Sequence, residues 1–264
     1  MGLASKVSFA LPRPVGCSTQ LTVAERASTK AVRAIDISII IPTLNAGPRL
    51  SATIEALEEV RETLAVELIV VDGGSTDDTR MRAAAAGATV IEAPRGRATQ
   101  LSVGAKEASG RWLLFLHADT TLEPFWSTTI TSFMRAKGNV LKAAYFTFAL
   151  DDASSAARRV EGMANWRARK LGLPQGGQGL FLSRTKYASL VGYLDLPIME
   201  DVDIARRIGK ENLVELPATA TTSAETYRRG GYTLRQLRNF TLLALYFLGV
   251  PPRRLVRLQQ LKSS

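Results

Sequence analysis

Between residues 36 and 117, short apolar runs alternate with stretches of helical periodicity. "ISIII" (37–41) is rich in β-branched residues and is stopped by Pro42, which reads as a buried strand. Leu50, Ile54, Leu57 and Leu64 then recur at helical spacing, with Glu55, Glu58, Glu59 and Glu62 mostly on other faces, predicting one amphipathic helix. "ELIVV" (67–71) is a second buried strand, ended by Asp72-Gly73-Gly74, and Ser75 to Asp78 form a helix start. "ATVIEA" (88–93) predicts a third strand, "GRATQLSVGAKEA" (96–108) a third helix and "WLLFLH" (112–117) a fourth strand. Strand–helix alternation over this length implies βαβ units, and so an α/β fold with a mostly parallel sheet covered on both faces.

The second half is less regular. "AAYFTFAL" (143–150) predicts a strand and 154–171 a helix. "GLPQGGQGLF" (172–181) reads as a glycine-rich loop entering a strand, and "PIMEDVDIARRIGK" (197–210) as an acidic loop opening a short helix. No internal repeat or low-complexity tract is visible.

Ligands of parallel α/β sheets bind beyond the carboxyl ends of the strands. Those ends carry Thr43 and Asn45, then Asp72, then Arg95 and Arg97, then His117 and Asp119. Each has two readings from the residues alone. Asp119 either caps the next turn or bridges a cation to a diphosphate. His117 is either a core histidine satisfied by a carbonyl or a ligand contact. Asp72 is either a plain turn residue or a carboxylate with free oxygens for a ring N–H, with Gly73 and Gly74 allowing a ligand close to the backbone. Glu200 and Asp201 lie at a helix start, where they either cap it or act in acid–base chemistry. "GGQG" (176–179) makes a tight turn or brings backbone amides to a substrate.

Composition narrows the classes. The 264 residues are 46% hydrophobic, ample for a sizeable core. The net charge of +10 divides as about +4 in residues 1–34, −2 in 35–225 and +8 in 226–264. A nearly neutral body argues against a basic nucleic-acid groove, and the basic end suits an anionic surface. "YTLRQLRNFTLLALYFLGVPPRRLVRL" (232–258) joins an apolar run to flanking arginines, which fits an interfacial helix or one packed on the body. Its longest apolar stretch, 240–250, falls short of the ~18–20 residues of a membrane span. One cysteine, Cys17, rules out an intrachain disulfide. With one histidine as well, the usual nitrogen–sulfur zinc sites are excluded, so any metal is held mainly by oxygen, as Mg²⁺ or Mn²⁺ prefers. Residues 1–34 read as a disordered extension, with a targeting segment as the alternative.

Read together, "SIIIPTLNAG" (38–47), "ELIVVDGGSTDDT" (67–79), "LHADT" (116–120) and "MEDVDIARR" (199–207) make the chain resemble the family 2 glycosyltransferases of the GT-A fold over about residues 36–210. Within that family it looks similar to a subgroup with His-Ala-Asp in place of the usual Asp-X-Asp. The resemblance implies a catalytic domain over 35–225 followed by a basic apolar helix and tail (226–264). It implies an inverting transfer of a sugar from a nucleoside diphosphate, UDP first, to an acceptor hydroxyl that is soluble or lipid-linked, in the cytoplasm or at the inner face of a membrane. Pro42, Thr43 and Asn45 would line the nucleoside pocket, Asp72 with Gly74 would hold the base, and Arg97 would lie near the nucleotide. Asp119 would ligate Mg²⁺ or Mn²⁺, and His117 would face the ribose or add one nitrogen ligand. Asp201 would be the general base, with Gly176, Gly177, Gln178 and Glu200 at the acceptor. A sugar nucleotidyltransferase and a non-catalytic nucleotide-sugar binder or membrane scaffold remain the competing classes.

Overall fold

The computed structural model describes residues 1–2 and 34–260. The expectation for residues 1–34 therefore falls outside the described residues except at their ends, as does Cys17. From Ala34 onward the chain forms one compact unit.

Its first half is a regular α/β succession: β1 (Ile37–Thr43), α1 (Gly47–Glu55), β2 (Val66–Asp72), α2 (Thr79–Ala85), β3 (Thr89–Glu92), α3 (Arg97–Glu107) and β4 (Trp112–Phe115). β1 pairs in parallel with both β2 and β4, and β2 with β3. The second half adds β5 (Thr120–Leu122), α4 (Trp126–Arg135), β6 (Ala143–Leu150), α5 (Ser155–Leu171), β7 (Leu180–Ser183), α6 (Arg184–Ser189), α7 (Glu200–Ile208), β8 (Leu213–Thr222), α8 (Glu225–Gly230), α9 (Tyr232–Phe247) and α10 (Pro252–Gln260). All eight strands share one sheet in the order β3-β2-β1-β4-β7-β6-β8-β5. β7 runs antiparallel to β4 and β6, β8 parallel to β6, and β5 antiparallel to β8.

The continuous apolar runs follow from burial on both faces. Ile37, Ile39 and Ile41 point to one side, among Leu50, Ile54, Trp126 and Phe146. Ile40 points to the other, among Leu101, Ala105, Phe115 and Ile204.

One expected element splits. The helix foreseen through Leu64 ends at Glu55, and a 3₁₀ turn follows over Glu58–Glu62. Leu57 and Val60 stay buried, but Glu59 leaves any helical face to accept the backbone N–H groups of Phe125 (2.9 Å) and Ser127 (2.8 Å) at the start of α4. The carboxylate serves the orphan amides of another helix, which a local periodicity cannot reveal.

The basic C-terminal segment packs onto the body. Leu243 of α9 is buried with Leu173, Val202 and Ala205, and Tyr227 with Phe148, Leu150 and Val160. Its outer side leaves Leu234, Leu237, Phe247 and Leu248 exposed. No helix among the described residues is long and apolar enough to cross a membrane.

α3 lies close against the sheet at Gly104, where a Cβ would come within 2.5 Å of Ile40 Cγ2 and 2.9 Å of Val71 Cγ2. Gly→Ala inside a helix ordinarily gains about 1 kcal/mol, but overpacking a filled core loses about 1–3 kcal/mol. Overlap wins here. Gly104→Ala should lower unfolding free energy by about 1–2 kcal/mol in urea denaturation, and an increase would show that α3 has room to lift.

Candidate active site

A cavity of about 580 Å³ opens at the carboxyl ends of β1 and β4, within the range of small-molecule sites. Pro42, Thr43 and Asn45 from the end of β1, Arg97 from the start of α3, and His117 and Asp119 beyond β4 line it. Glu200 and Asp201, the first residues of α7, close the same space.

Local structure explains why these side chains face inward. The His-Ala-Asp segment is held by its backbone. The Thr120 N–H donates to the His117 carbonyl (3.2 Å), the Thr53 hydroxyl to the Ala118 carbonyl (3.0 Å) and the Ser223 N–H to the Asp119 carbonyl (3.1 Å). That leaves the side chains of His117 and Asp119 without a hydrogen bond from any other described residue. α7 begins after Met199, whose φ of 66° lies in the left-handed region that a non-glycine residue enters only at an energetic cost. The turn delivers Glu200 and Asp201 together at a helix N-terminus, where the macrodipole favours negative charge.

The acids are then fixed from the other half of the chain. Glu200 is 5% exposed, and its Oε1 accepts from Arg97 Nη1 at 3.0 Å. Burial raises the Glu200 carboxyl above its ordinary value, the charge on Asp201 adds to this, and Arg97 opposes it. Asp201 accepts the Gly176 N–H on Oδ2 (3.1 Å) and the Val202 N–H on Oδ1 (2.8 Å). A Cβ on Gly176 would collide with Nε2 of His117, so this loop can approach the histidine only as glycine.

His117 is neutral. Burial, then the charge of Arg97, lowers its ring from 6.5 to about 3. Burial raises the Asp119 carboxyl, with Arg49 and Arg97 only partly offsetting it. A half-buried carboxylate without outside donors, beside an uncharged imidazole, is a donor pair suited to a divalent cation. No group of three or more His, Cys, Asp or Glu among the described residues could enclose one. The two fit Mg²⁺ or Mn²⁺ in the common arrangement where one or two protein ligands leave the remaining positions to substrate phosphate oxygens.

Three expectations need correction. Asp72 offers no free acceptor. It is 0% exposed, and its oxygens take the Gly74 and Ser75 N–H groups (3.1 and 2.8 Å), the Thr43 hydroxyl (3.1 Å) and the Ser75 hydroxyl. Those four donors fill the lone-pair sites of a carboxylate, so Asp72 organises the loop after β2 and does not line the cavity; Gly74, φ 93°, serves that turn. Gly177 is needed for packing, since a Cβ there would press on Thr222 and Phe148. Gln178, 0% exposed, donates to the Phe146 carbonyl (3.0 Å) and accepts the Gln175 N–H (3.0 Å). Of the "GGQG" loop, Gly176 and Gly179 border a small recess beside His117, Glu200 and Asp201, and the Gly176 amide goes to Asp201.

Several lining residues escaped the sequence reading: Arg49, Gln100, Arg167, Arg235 and Asn239. Gln100 is buried and bridges the Thr43 and Val71 carbonyls from its Nε2 (2.8 and 2.7 Å), tying α3 to β1 and β2 beneath the cavity.

Residues 38–186, more than half of the chain, match the model of the glycosyl transferase family 2. The chain belongs to that family. Among its relatives, the family 2 chain is 44% identical over 70 residues to the glucosyl-3-phosphoglycerate synthase of Mycolicibacterium paratuberculosis, a match covering 26% of this chain and 21% of that protein. It is 40% identical over 93 residues to a PGL/p-HBAD biosynthesis glycosyltransferase of Mycobacterium bovis, covering 32% and 36%. The matched stretches thus span between a fifth and two fifths of these curated relatives. Among solved structures, S. aureus TarS 1–349 superposes with TM-score 0.53 at 16% identity over 71% of this chain and 58% of that one. Mycobacterium tuberculosis glucosyl-3-phosphoglycerate synthase with Mn²⁺ and UDP-glucose gives 0.50 at 20% identity over 80% and 75%. These likenesses establish the GT-A fold.

His117 is the only histidine, so its imidazole resonances need no assignment. Between pH 6.5 and about 3 the unfolded chain binds a proton that the folded family 2 domain refuses. The contribution of His117 to stability therefore falls as pH drops through that window. In NMR titration of the folded protein the ring should keep neutral-imidazole shifts down to pH 4.5; a midpoint near 6.5 would place the ring in open solvent.

Proposed function

We propose that this family 2 chain is an inverting glycosyltransferase that moves a sugar from a nucleoside diphosphate sugar, with UDP as the nucleotide, to an acceptor hydroxyl. The observation that carries the reading is the gathering of Asp119, His117, Arg97 and Asp201 around one cavity at the carboxyl ends of the strands. The uridine donor and Mn²⁺ draw support from the M. tuberculosis synthase solved with both. The His-Ala-Asp sequence is taken as the mark of a subgroup in which a neutral ring replaces the first acid.

The geometry supports the following roles. Pro42, Thr43 and Asn45 border the end of the cavity suited to the nucleoside, and Asn45 is braced there at φ 50°, with its Oδ1 accepting the Thr76 N–H (2.9 Å). Asp119 and His117 would hold Mg²⁺ or Mn²⁺. When bound, that ion supplies charge neutralisation for the departing diphosphate. Arg97 adds a fixed positive charge at the same place. Asp201 takes the acceptor proton as the hydroxyl oxygen attacks the anomeric carbon and the bond to the diphosphate oxygen breaks. The Gly176 amide fixes the carboxylate for this task, and a single displacement inverts the configuration. Glu200, turned to Arg97, holds the arginine and shapes the field around Asp201.

A lipid-linked acceptor fits within this proposal. Leu234, Leu237 and Leu248 on the outer side of α9, with Arg253 and Arg254 beyond it, suit rest on an anionic bilayer. The protein should then sediment with phosphatidylglycerol vesicles at low salt and release at 0.5 M NaCl; recovery in the supernatant at low salt would remove the membrane from the proposal.

For the transfer itself, UDP-glucose and Mn²⁺ should yield UDP above the no-enzyme rate. Asp201→Asn should cut turnover by about 10²–10⁴-fold while UDP binding by calorimetry stays at the wild-type level. Asp119→Asn should instead lose the Mn²⁺-dependent part of that binding. Wild-type turnover in Asp201→Asn would transfer the base role elsewhere. Glucose 1-phosphate in place of UDP would favour a nucleotidyltransferase, and UDP binding without any product a non-catalytic binder.

A further inference from the structure

The cavity carries more positive charge than a nucleotide-sugar donor uses. Arg97 is committed to Glu200 at 3.0 Å, and Arg49 pairs with Glu225. Arg167 of α5 and Arg235 of α9 also line the cavity, and neither has an acidic partner among the described residues. Arg167 donates from Nε to the Leu173 carbonyl (2.9 Å), leaving its Nη2 buried without a hydrogen-bond partner. Arg235 lies over the Tyr227 ring, 5.1 Å from its centroid, and its Nε is also buried and unpartnered. Burial lowers the Arg235 guanidinium from its ordinary value; Tyr227 opposes this, while Arg238 and Arg97 repel the charge. Buried guanidinium N–H groups without acceptors, gathered near other cations, form an arrangement that a bound anion would complete.

Their position says which substrate the anion belongs to. The nucleoside end of the cavity is built by the end of β1, whereas Arg167 and Arg235 stand on α5 and α9, two helices packed against each other. A smaller recess between those helices adjoins the cavity and shares Arg167 and Gln175 with it. Gln175 precedes Gly176, whose amide holds Asp201. Arg167, Arg235 and Asp201 thus all line one cavity. A diphosphate with a bridging divalent cation adds little net charge at the other end, so it does not satisfy them.

We propose that Arg167 and Arg235 form an anion subsite for the acceptor, which carries a phosphate or carboxylate in addition to the hydroxyl that attacks the sugar. The inference rests on the reading of the cavity as a glycosyl-transfer site. The planar fork of two guanidinium groups suits bidentate capture of such an anion and fixes the distance from it to the reacting hydroxyl. A small soluble phosphate or carboxylate and a lipid phosphate share this chemistry.

The test is calorimetry on the full chain saturated with UDP and Mn²⁺, so that donor-site cations are already occupied. Glycerol, glycerol 3-phosphate and glycerate are titrated in turn, followed by a polyprenyl phosphate in neutral detergent. At least one anionic probe should bind, with glycerol at least tenfold weaker. Arg167→Gln/Arg235→Gln should lose that binding tenfold or more with UDP affinity unchanged, and Arg167→Lys/Arg235→Lys should recover part of it. Unchanged UDP affinity in both double variants also certifies that they are folded. Preference for the lipid probe would name a lipid phosphate as the source, and preference for the small probes a soluble metabolite. Equal binding of glycerol and all anions, or undiminished anion binding in the glutamine pair, overturns the subsite while leaving glycosyl transfer standing. Absence of UDP binding with anion capture intact at the two arginines removes the transfer reading and keeps the anion site.

Discussion

The ion pair between Arg97 and Glu200 joins residues 103 positions apart and holds the two halves of the fold to a common purpose. Arg97 opens α3 in the regular βαβ half, and Glu200 opens α7 in the mixed half. Two adjacent carboxylates at the edge of a cavity repel one another, and burial adds a desolvation penalty on Glu200. With the guanidinium on one of them, its neighbour stays available to a substrate and keeps its own amide contacts. The left-handed turn at Met199 and the close approach of Gly176 both make sense only if this corner is held shut.

Much of the parallel half was legible because its strands are buried on both faces and write themselves as continuous apolar runs. "ISIII" and "ELIVV" became β1 and β2 with their ends at Thr43 and Asp72, where the strand-end rule placed the site. The mixed half was less legible, because β8 pairs with β6 and β5 across long separations and carries no local mark of its partners. Asp72 shows the limit of a strand-end rule. Its position was right, but its donors come from Thr43, 29 residues away, and from its own turn, and no motif reports that both oxygens are already in use.

Charge gave the other lesson. Counting by segment assigned the C-terminal excess to an outer surface, and the exposed leucines of α9 remain compatible with one. Yet Arg235, from that same segment, lies along the cavity wall, and Arg167 comes from the stretch 154–171, which the sequence marked only as a helix. A helix can present arginines both inward and outward, and a net charge cannot separate them. Burial decides, since an inward guanidinium keeps N–H groups away from water and requires an acceptor.

The neutral ring of His117 fits the same electrostatic logic. Burial already raises the carboxyls of Asp119 and Glu200, and Asp201 stands beside Glu200. A further carboxylate at position 117 would add repulsion to acids that are hard to keep ionised here. An imidazole held uncharged by burial and by Arg97 avoids that penalty and keeps a nitrogen lone pair. The chain thereby reduces the negative charge at this point in the cavity, and the glycine at 176 provides the space the larger ring needs.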